Sequence, residues 1–506
     1  MSWRAFVGVA ALAGLAACVQ APPVPAKAEP TPAEQAARRR AAAAAIEQAA
    51  LEARVTQAVQ RADEAYVYGY PLLVGEMLRL QMSGVAKAAS HRVPANSFWH
   101  ARRLPAAGEP RHPLVDDADT LASFAWLDLG REAMLVAWPA MGRRWFSVAL
   151  HSQWMQALHT AGSGLGDSKP ARLLVAGPEW QGSVPPGATL VRSPTRHVLL
   201  ALRIQTSGSE ADLRAVQALQ ARLRIVPQTV RSRRAPAEAA AVPALPAAAG
   251  ELTPQQQVAA LDTAAAFELL AHLMGRAAPP DVADEPLLQR MAAIGIEPGK
   301  PFRMDVLEPA VQAALADTGA RMQRRLTGLR PQVFAQAGSW QAPPAGGDLG
   351  TDYVRRAVVA ALQWPGDDPR QLLELSTRSD AEGRPLDGAH DYLLRFARGE
   401  HPPVNGFWSL TLTAGEGEDG RRGFVADSAG RVNLGTRDKP PAEAGGALEL
   451  FVQNLSPGLD NAAHWLPAPK GGFMLTLRLY APKTAPPSAL PPGPGTWLPP
   501  APQRLP

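Results

Sequence analysis

The sequence predicts an α+β fold: two β-rich domains, sandwich or jelly-roll-like, joined by a helical segment and preceded by a long helix. Three observations predict it. Short apolar runs broken by glycine and proline fill residues 93–230 and return over 336–506. Residues 253–335 carry the three- and four-residue apolar spacing of helices instead. An alanine-rich run with a helix-start signal opens the folded part. The 506 residues are 46% apolar, enough for two or three cores, and 19% charged, too few for a disordered chain.

The first seventeen residues read as an export signal. Arg4 supplies the positive start, and Ala5–Leu15 is apolar but too short to span a bilayer. "LAAC", Leu15 to Cys18, then resembles the lipobox of bacterial lipoproteins. Cys18 is the one cysteine of the chain, so its thiol is the expected lipidation site. The lack of a second cysteine fits an exported protein that forms no disulfide. Residues 18–33 are the lipidated, proline-rich tether. Cys18 to Pro30 at about 3.1 Å per residue reaches about 40 Å. Val19 is not the aspartate that retains lipoproteins in the inner membrane of enteric bacteria. By that resemblance the address is the outer membrane, facing the periplasm, with the membrane as a partner through the lipid.

Residues 34–92 are the N-terminal helices. Thr31, Pro32 and Glu34 make a capping-box start. Leu51, Val55, Val59, Ala62 and Tyr66 form one apolar stripe, which packs on its own domain or on a partner helix. Pro71 is expected to kink this helix or begin a new one. The first β-rich domain, 93–230, has strands at "MLVAW", "RWFSVAL", "ARLLVAG" and "HVLLALRI", then a helix capped at Ser209. Residues 231–252 are an alanine- and proline-rich linker. "TPQQ" at Thr253–Gln256 opens a helix that stops near Gly275. The C-terminal β-rich domain, 336–506, shows "GFWSLTL", "GFVAD", "ALELFVQ" and "GFMLTLRLY". In the last, Phe473, Leu475, Leu477 and Leu479 alternate with more polar residues, so one face is buried. The proline-rich tail is expected to lack regular structure.

The charge is +5 but scattered, apart from Arg38–Arg40 and "RSRR" at Arg231–Arg234. No basic stripe carries interleaved aromatics, which argues against nucleic acid. Asp116, Asp117 and Asp119 with Asp128 are oxygen ligands for a hard cation, but their spacing fits no calcium loop and a solvated turn explains them better. His151 and His159 stand eight apart, which suits no metal site, so neither a metal nor a cofactor is expected. "AGSGLG", Ala161–Gly166, matches no nucleophile elbow or phosphate loop and reads as a flexible loop. Trp408, Trp465 and Trp497 offer sugar-stacking faces or core bulk. Arg203 and Arg478 are charges inside strand patterns, where each needs an ion pair or an anionic ligand.

"EAYVYGYPLLVGEMLRLQ", "DADTLASFAWLDLG", "AGPEWQGSVPPG" and "SPTRHVLLALRI" resemble the domain-of-unknown-function family numbered 1254. "GRPLDGAHDYLLRFARGEHPPVNGFWSLTL" and "HWLPAPKGGFMLTLRLYAP" resemble its usual partner, numbered 1214. The resemblance implies β-rich domains joined by helices and no established reaction. This chain departs from the family pattern at Asp117, Ala122, Thr413 and His464, where asparagine, tyrosine, tyrosine and asparagine are usual. The function expected is therefore an envelope lipoprotein that binds a ligand or partner, with a small anion or envelope glycan as candidate. A hydrolase of envelope glycans or esters and a helix-mediated scaffold are the alternatives. The ligand site, if one exists, is expected where the two β domains meet, on Asp119, Arg203, Trp408 and Arg478.

Overall fold

The structure is a computed structural model describing residues 31–83, 85, 87, 91–106, 117–167, 169–228, 252–277, 282–344, 349–362, 367–414, 423–424, 432–438 and 446–506. Cys18, the signal peptide, most of the tether, Asp116 and nearly all of the linker lie outside the described residues. Two compact units are present, divided at Arg54 and Val55.

Helix α1 (Pro32–Met82) starts as expected: Thr31 N donates to Glu34 Oε2 at 2.7 Å, and Glu34 N donates to Thr31 Oγ1 at 3.3 Å. In the first unit its residues are exposed through Ala50. In the second unit Val55, Val59, Ala62 and Tyr66 pack into a helical core, so that part of the stripe serves its own domain. Pro71 lies inside this helix, so of the two expectations no new helix begins there. A proline removes one backbone hydrogen bond, but Ala65 to Leu78 is buried on every side, and that packing outweighs the loss.

The first sandwich contains β1 (Trp99–His100), β2 (Thr120–Asp128), β3 (Ala133–Trp138), β4 (Phe146–Ser152), β5 (Ala157–Gly162), β6 (Ala171–Ala176), β7 (Thr189–Arg192), β8 (His197–Gln205) and β9 (Arg224–Gln228). A five-stranded sheet, β1-β2-β8-β4-β5, faces a four-stranded one, β7-β6-β3-β9. Leu121, Val136, Val148, Leu173, Leu200 and Leu202 fill the space between them. Helix α2 (Glu210–Gln220), capped by Ser209, sets Val216 into the same core.

The helical layer holds α3 (Pro254–Ala259), α4 (Thr263–Met274), α5 (Glu285–Ala292), α6 (Pro309–Leu315), α7 (Thr318–Val333) and α8 (Tyr353–Leu362). Thr253 and Gln256 form the expected capping box. The single helix expected from Thr253 to Gly275 is two, because Asp262 caps Ala265 N at 2.7 Å and restarts the chain. Helix α8 also lies beyond the expected end of the connector.

The second sandwich comprises β10 (Ala335–Ala337), β11 (Trp340–Ala342), β12 (Leu372–Thr377), β13 (Tyr392–Phe396), β14 (Val404–Ala414), β15 (Asn433–Gly435), β16 (Leu448–Gln453), β17 (Trp465–Pro467), β18 (Phe473–Pro482) and β19 (Gln503–Arg504). The six-stranded sheet runs β10-β11-β12-β18-β14-β15, and the four-stranded sheet β17-β16-β13-β19. Leu394, Leu410, Leu450, Leu475, Leu477 and Leu479 pack between them. The proline-rich tail is irregular except for β19, which pairs with β13. Strand β18 is buried at all ten residues, more than its polar alternation predicts. Its second face is covered by the first sandwich, and that contact builds the candidate site.

Candidate functional site at the junction of the two sandwiches

Asp117 and Asp119 stand at the entrance to β2, and both are buried, with 3% and 2% of their surface exposed. The solvated turn expected here is therefore incorrect. Asp117 makes the turn: it accepts from Asp119 N at 2.7 Å and from Thr120 Oγ1 at 2.7 Å. Asp119 reaches across to the second sandwich. It accepts from Ser409 Oγ at 2.6 Å, from Asn433 Nδ2 at 2.7 Å and from Arg437 Nη2. Tyr480 divides its one hydroxyl proton between Asp117 Oδ1 at 2.8 Å and Asp119 Oδ2 at 3.2 Å.

Strand alternation explains the convergence. In β14, Trp408, Leu410 and Leu412 face the aliphatic core, which turns Phe407, Ser409 and Thr411 to the junction. In β18, Leu477 and Leu479 face the core and leave Arg478 and Tyr480 opposite. Cross-strand register sets Arg478 beside Ser409 on one side and Glu374 on the other. Arg478 Nε donates to Glu374 Oε1 at 2.5 Å and Nη1 to Thr411 Oγ1 at 3.3 Å. "DTL", "SLTL" and "LRLY", segments of the quoted motifs, thus meet at one place from opposite ends of the chain.

Burial first, and then the neighbouring Asp117, push the Asp119 carboxyl above its ordinary value; Arg437 and Ser409 pull the other way. Burial beside both carboxyls likewise drives Tyr480 well up, so its phenol stays protonated. An apolar seam continues the junction: Trp145 packs edge-on to Tyr480 at 4.9 Å, and Phe407 stacks on Tyr480 at 3.9 Å.

Of the four expected ligand residues, Asp119 and Arg478 share this junction. Arg203 stands across from Ala122 in β2 and gives Nη1 to Asp367 at 2.6 Å. Trp408 lies on the other face of β14, in the dry core against Phe396. It offers no stacking face to the junction, and the period of "FWSLTL" already places it with Leu410 and Leu412. Arg437 and Asn433 were missed because they lie on or beside a three-residue strand too short to show a period. "AGSGLG" is also corrected. Its Ser163–Leu165 turn docks on the second sandwich, with Gly164 N donating to Gln371 Oε1 at 2.8 Å. A Cβ on Gly164 would lie 2.0 Å from Arg370 O, so the glycine lets the backbones touch.

The family positions behave differently from one another. Asp117 carries the turn, and Ala122 is buried in the first core. Thr413 Oγ1 is buried without a hydrogen-bond partner, and His464 Nδ1 lies 2.7 Å from Glu449 O. Among the described residues, no group of three or more histidine, cysteine or acidic side chains is placed to hold a metal.

Fold and junction define the class: an α+β protein of two β-sandwiches, clasped by a buried polar network and backed by a helical layer. The comparisons agree with the resemblance seen in the sequence. The model of the protein family of unknown function DUF1254 matches residues 95–227, and that of DUF1214 matches residues 371–484. The crystal structure of the VPA0106 protein from Vibrio parahaemolyticus shares the fold, with a TM-score of 0.62 and 21% identity over 89% of this chain and 100% of that one. An uncharacterized protein from Burkholderia cenocepacia is more remote, with a TM-score of 0.38 and 13% identity over 90% and 96%. No curated protein matches the chain.

Proposed function

We propose that this is an envelope lipoprotein, tethered through Cys18 to the outer membrane and facing the periplasm, whose folded part binds an anionic ligand or partner. The observation that carries a binding rather than a hydrolytic reading is the use made of the acidic pair. A general acid or base has to reach a substrate proton. A carboxylate offers about four acceptor sites, and on Asp119 these are met by Ser409, Asn433, Arg437 and the shared Tyr480 proton. The pair fastens the two sandwiches. Sole cysteine and lipobox together support the tether.

Two measurements test the reading. Cells labelled with palmitate should carry the label on the wild type and lose it, with release to the soluble periplasm, on Cys18→Ala. Unlabelled, soluble wild type would remove the tether. Purified folded protein should bind acidic envelope glycans or small anions without releasing reducing ends or free acid. Release that Asp119→Asn abolishes without loss of fold would replace binding by hydrolysis.

A further inference from the structure

Several arginines of the second unit are matched to carboxylates. Around His197 two of them form a cluster. Arg79 gives Nε and Nη2 to Glu76 at 2.7 and 2.6 Å. Arg196 holds Asp128 through Nε–Oδ1 at 2.7 Å and Nη2–Oδ2 at 2.8 Å. The first unit, taken by itself, is different. Arg38, Arg39 and Arg40 on α1 are exposed and form the longest uninterrupted basic run of the chain. Among the described residues, none of the three makes an ion pair or a side-chain hydrogen bond. Glu34 stands four residues before Arg38, the spacing of a helical ion pair. Its carboxylate is turned back onto Thr31 instead, taking N at 2.7 Å and Oγ1 at 3.0 Å. Those bonds, the backbone one first, hold Glu34 below the usual carboxylate range. Past Arg40, Ala41–Ala45 and Ile46 come before the next acidic residue, Glu47.

Successive residues of an α-helix turn by about 100° and rise by about 1.5 Å. Arg38 and Arg40 are therefore set on nearly opposite sides of α1, with Arg39 between them. All three lie within about 3 Å along the axis. The arrangement is a collar around the helix, not a stripe along it. A helix lying flat on a charged surface would bring one or two of the three to it. A helix standing on end brings all three to one depth. The exposed stretch from Pro32 to Ala50 also has Ile46 as its one large apolar residue. It lacks the apolar face that beds an amphipathic helix flat in an interface.

We propose that Arg38, Arg39 and Arg40 bind the phosphate headgroups of an anionic bilayer, with this stretch of α1 standing upright on it. Charge and reach identify the occupant. Guanidinium forks match phosphate oxygens in geometry and charge. The proline-rich tether expected before the helix, with a reach of about 40 Å, brings its start to the surface that holds Cys18. The site rests on the tethered reading above and adds a second contact with the same membrane. The full chain carrying Cys18→Ala has no lipid, so its co-sedimentation with vesicles reads the collar alone. It should bind vesicles of equimolar phosphatidylcholine and phosphatidylglycerol, not phosphatidylcholine alone, and added salt should weaken the binding. Arg38→Gln, Arg39→Gln and Arg40→Gln together should weaken it about a hundredfold, at about 1 kcal/mol per arginine, with an unchanged melting temperature. Each change alone should cost about fivefold. The same three-charge loss at Arg231, Arg233 and Arg234 should cost much less. Equal losses from the two triple variants, binding kept by the Arg38–Arg40 variant, or equal binding to neutral vesicles overturns the site. A single variant that costs nothing would lay the helix flat and overturn the upright collar. Palmitate label on the wild type without vesicle binding by the unlipidated chain would overturn the collar and leave the tether. Vesicle binding without label would support the collar and remove the tether.

Discussion

The junction and the arginine cluster are built from the same side chains to opposite ends. At the junction, Asp117, Asp119 and Glu374 meet Arg437 and Arg478, with Ser409, Asn433, Thr120 and Tyr480 covering the remaining oxygen atoms of the aspartate pair. At the cluster, Arg79 holds Glu76 and Arg196 holds Asp128, while burial first and then the neighbouring arginines lower His197 and His272. The first arrangement is closed by its own donors and joins two domains. The second lies at a partly exposed surface. Buried polar residues thus serve adhesion where donors and acceptors balance.

Breaking the closed network should have the largest effect. Asp119→Ala strips the acceptor from four donors and leaves Arg437 facing a buried gap. Chemical denaturation should register a loss of about 3–5 kcal/mol, the cost of orphaning one half of a buried pair. A loss below about 1 kcal/mol would mean that water already enters the junction. Next comes the dry side of the same sheet. Leu477→Ala should cost about 2–5 kcal/mol, since Leu477 is fully buried between the sheets. An unchanged midpoint would misplace the face.

The open cluster should respond less. Burial raises the Asp128 carboxyl, but the hydrogen bonds of Arg196 and Gly130 more than offset it and hold the group at about 2. A lowered folded value stabilises above the unfolded value of about 4 and is lost as pH falls toward 2. Because the group is partly exposed, the contribution is about 1 kcal/mol after solvent screening. Asp128→Asn should therefore be less stable than wild type at pH 7, with the difference shrinking below about pH 4 and vanishing only below pH 2. A difference that persists unchanged at acid pH would assign the effect to packing. Smallest of all, Arg214→Gln, at an exposed i,i+4 pair with Glu210, should shift stability by no more than about 0.5 kcal/mol, read as melting temperature. A large destabilisation would show that even an exposed pair can carry structural weight here.

Much of the architecture was legible. Thr31, Ser209 and Thr253 announce helix starts through short-range chemistry, and all three cap as their neighbours predict. The alternation from Phe473 to Leu479 gives the buried face of β18. What failed depended on distant packing. Pro71 stays in a helix because its surroundings hold it there, and Gly164 is held by the Gln371 side chain 207 positions away and by its close approach to Arg370 O. The site was half legible for the same reason. Arg478 stood out as a charge inside a strand pattern, and Asp119 by its place in the motif that marks the first β-rich domain. Arg437 sits just past a short element, where a charge is unremarkable until the fold sets it beside another.

The sequence distances across the junction bear on how the molecule comes together. Asp119 and Ser409 are 290 positions apart, and Asp117 and Tyr480 are 363 apart. Strand β18 is also interior to its sheet, between β12 and β14. The six-stranded sheet therefore cannot close until nearly the whole chain is available, and closing such long loops is slow. A first sandwich without β14, β15 and β18 would lack Ser409, Asn433, Arg437 and Tyr480, the partners that take up the acidic pair in the folded chain.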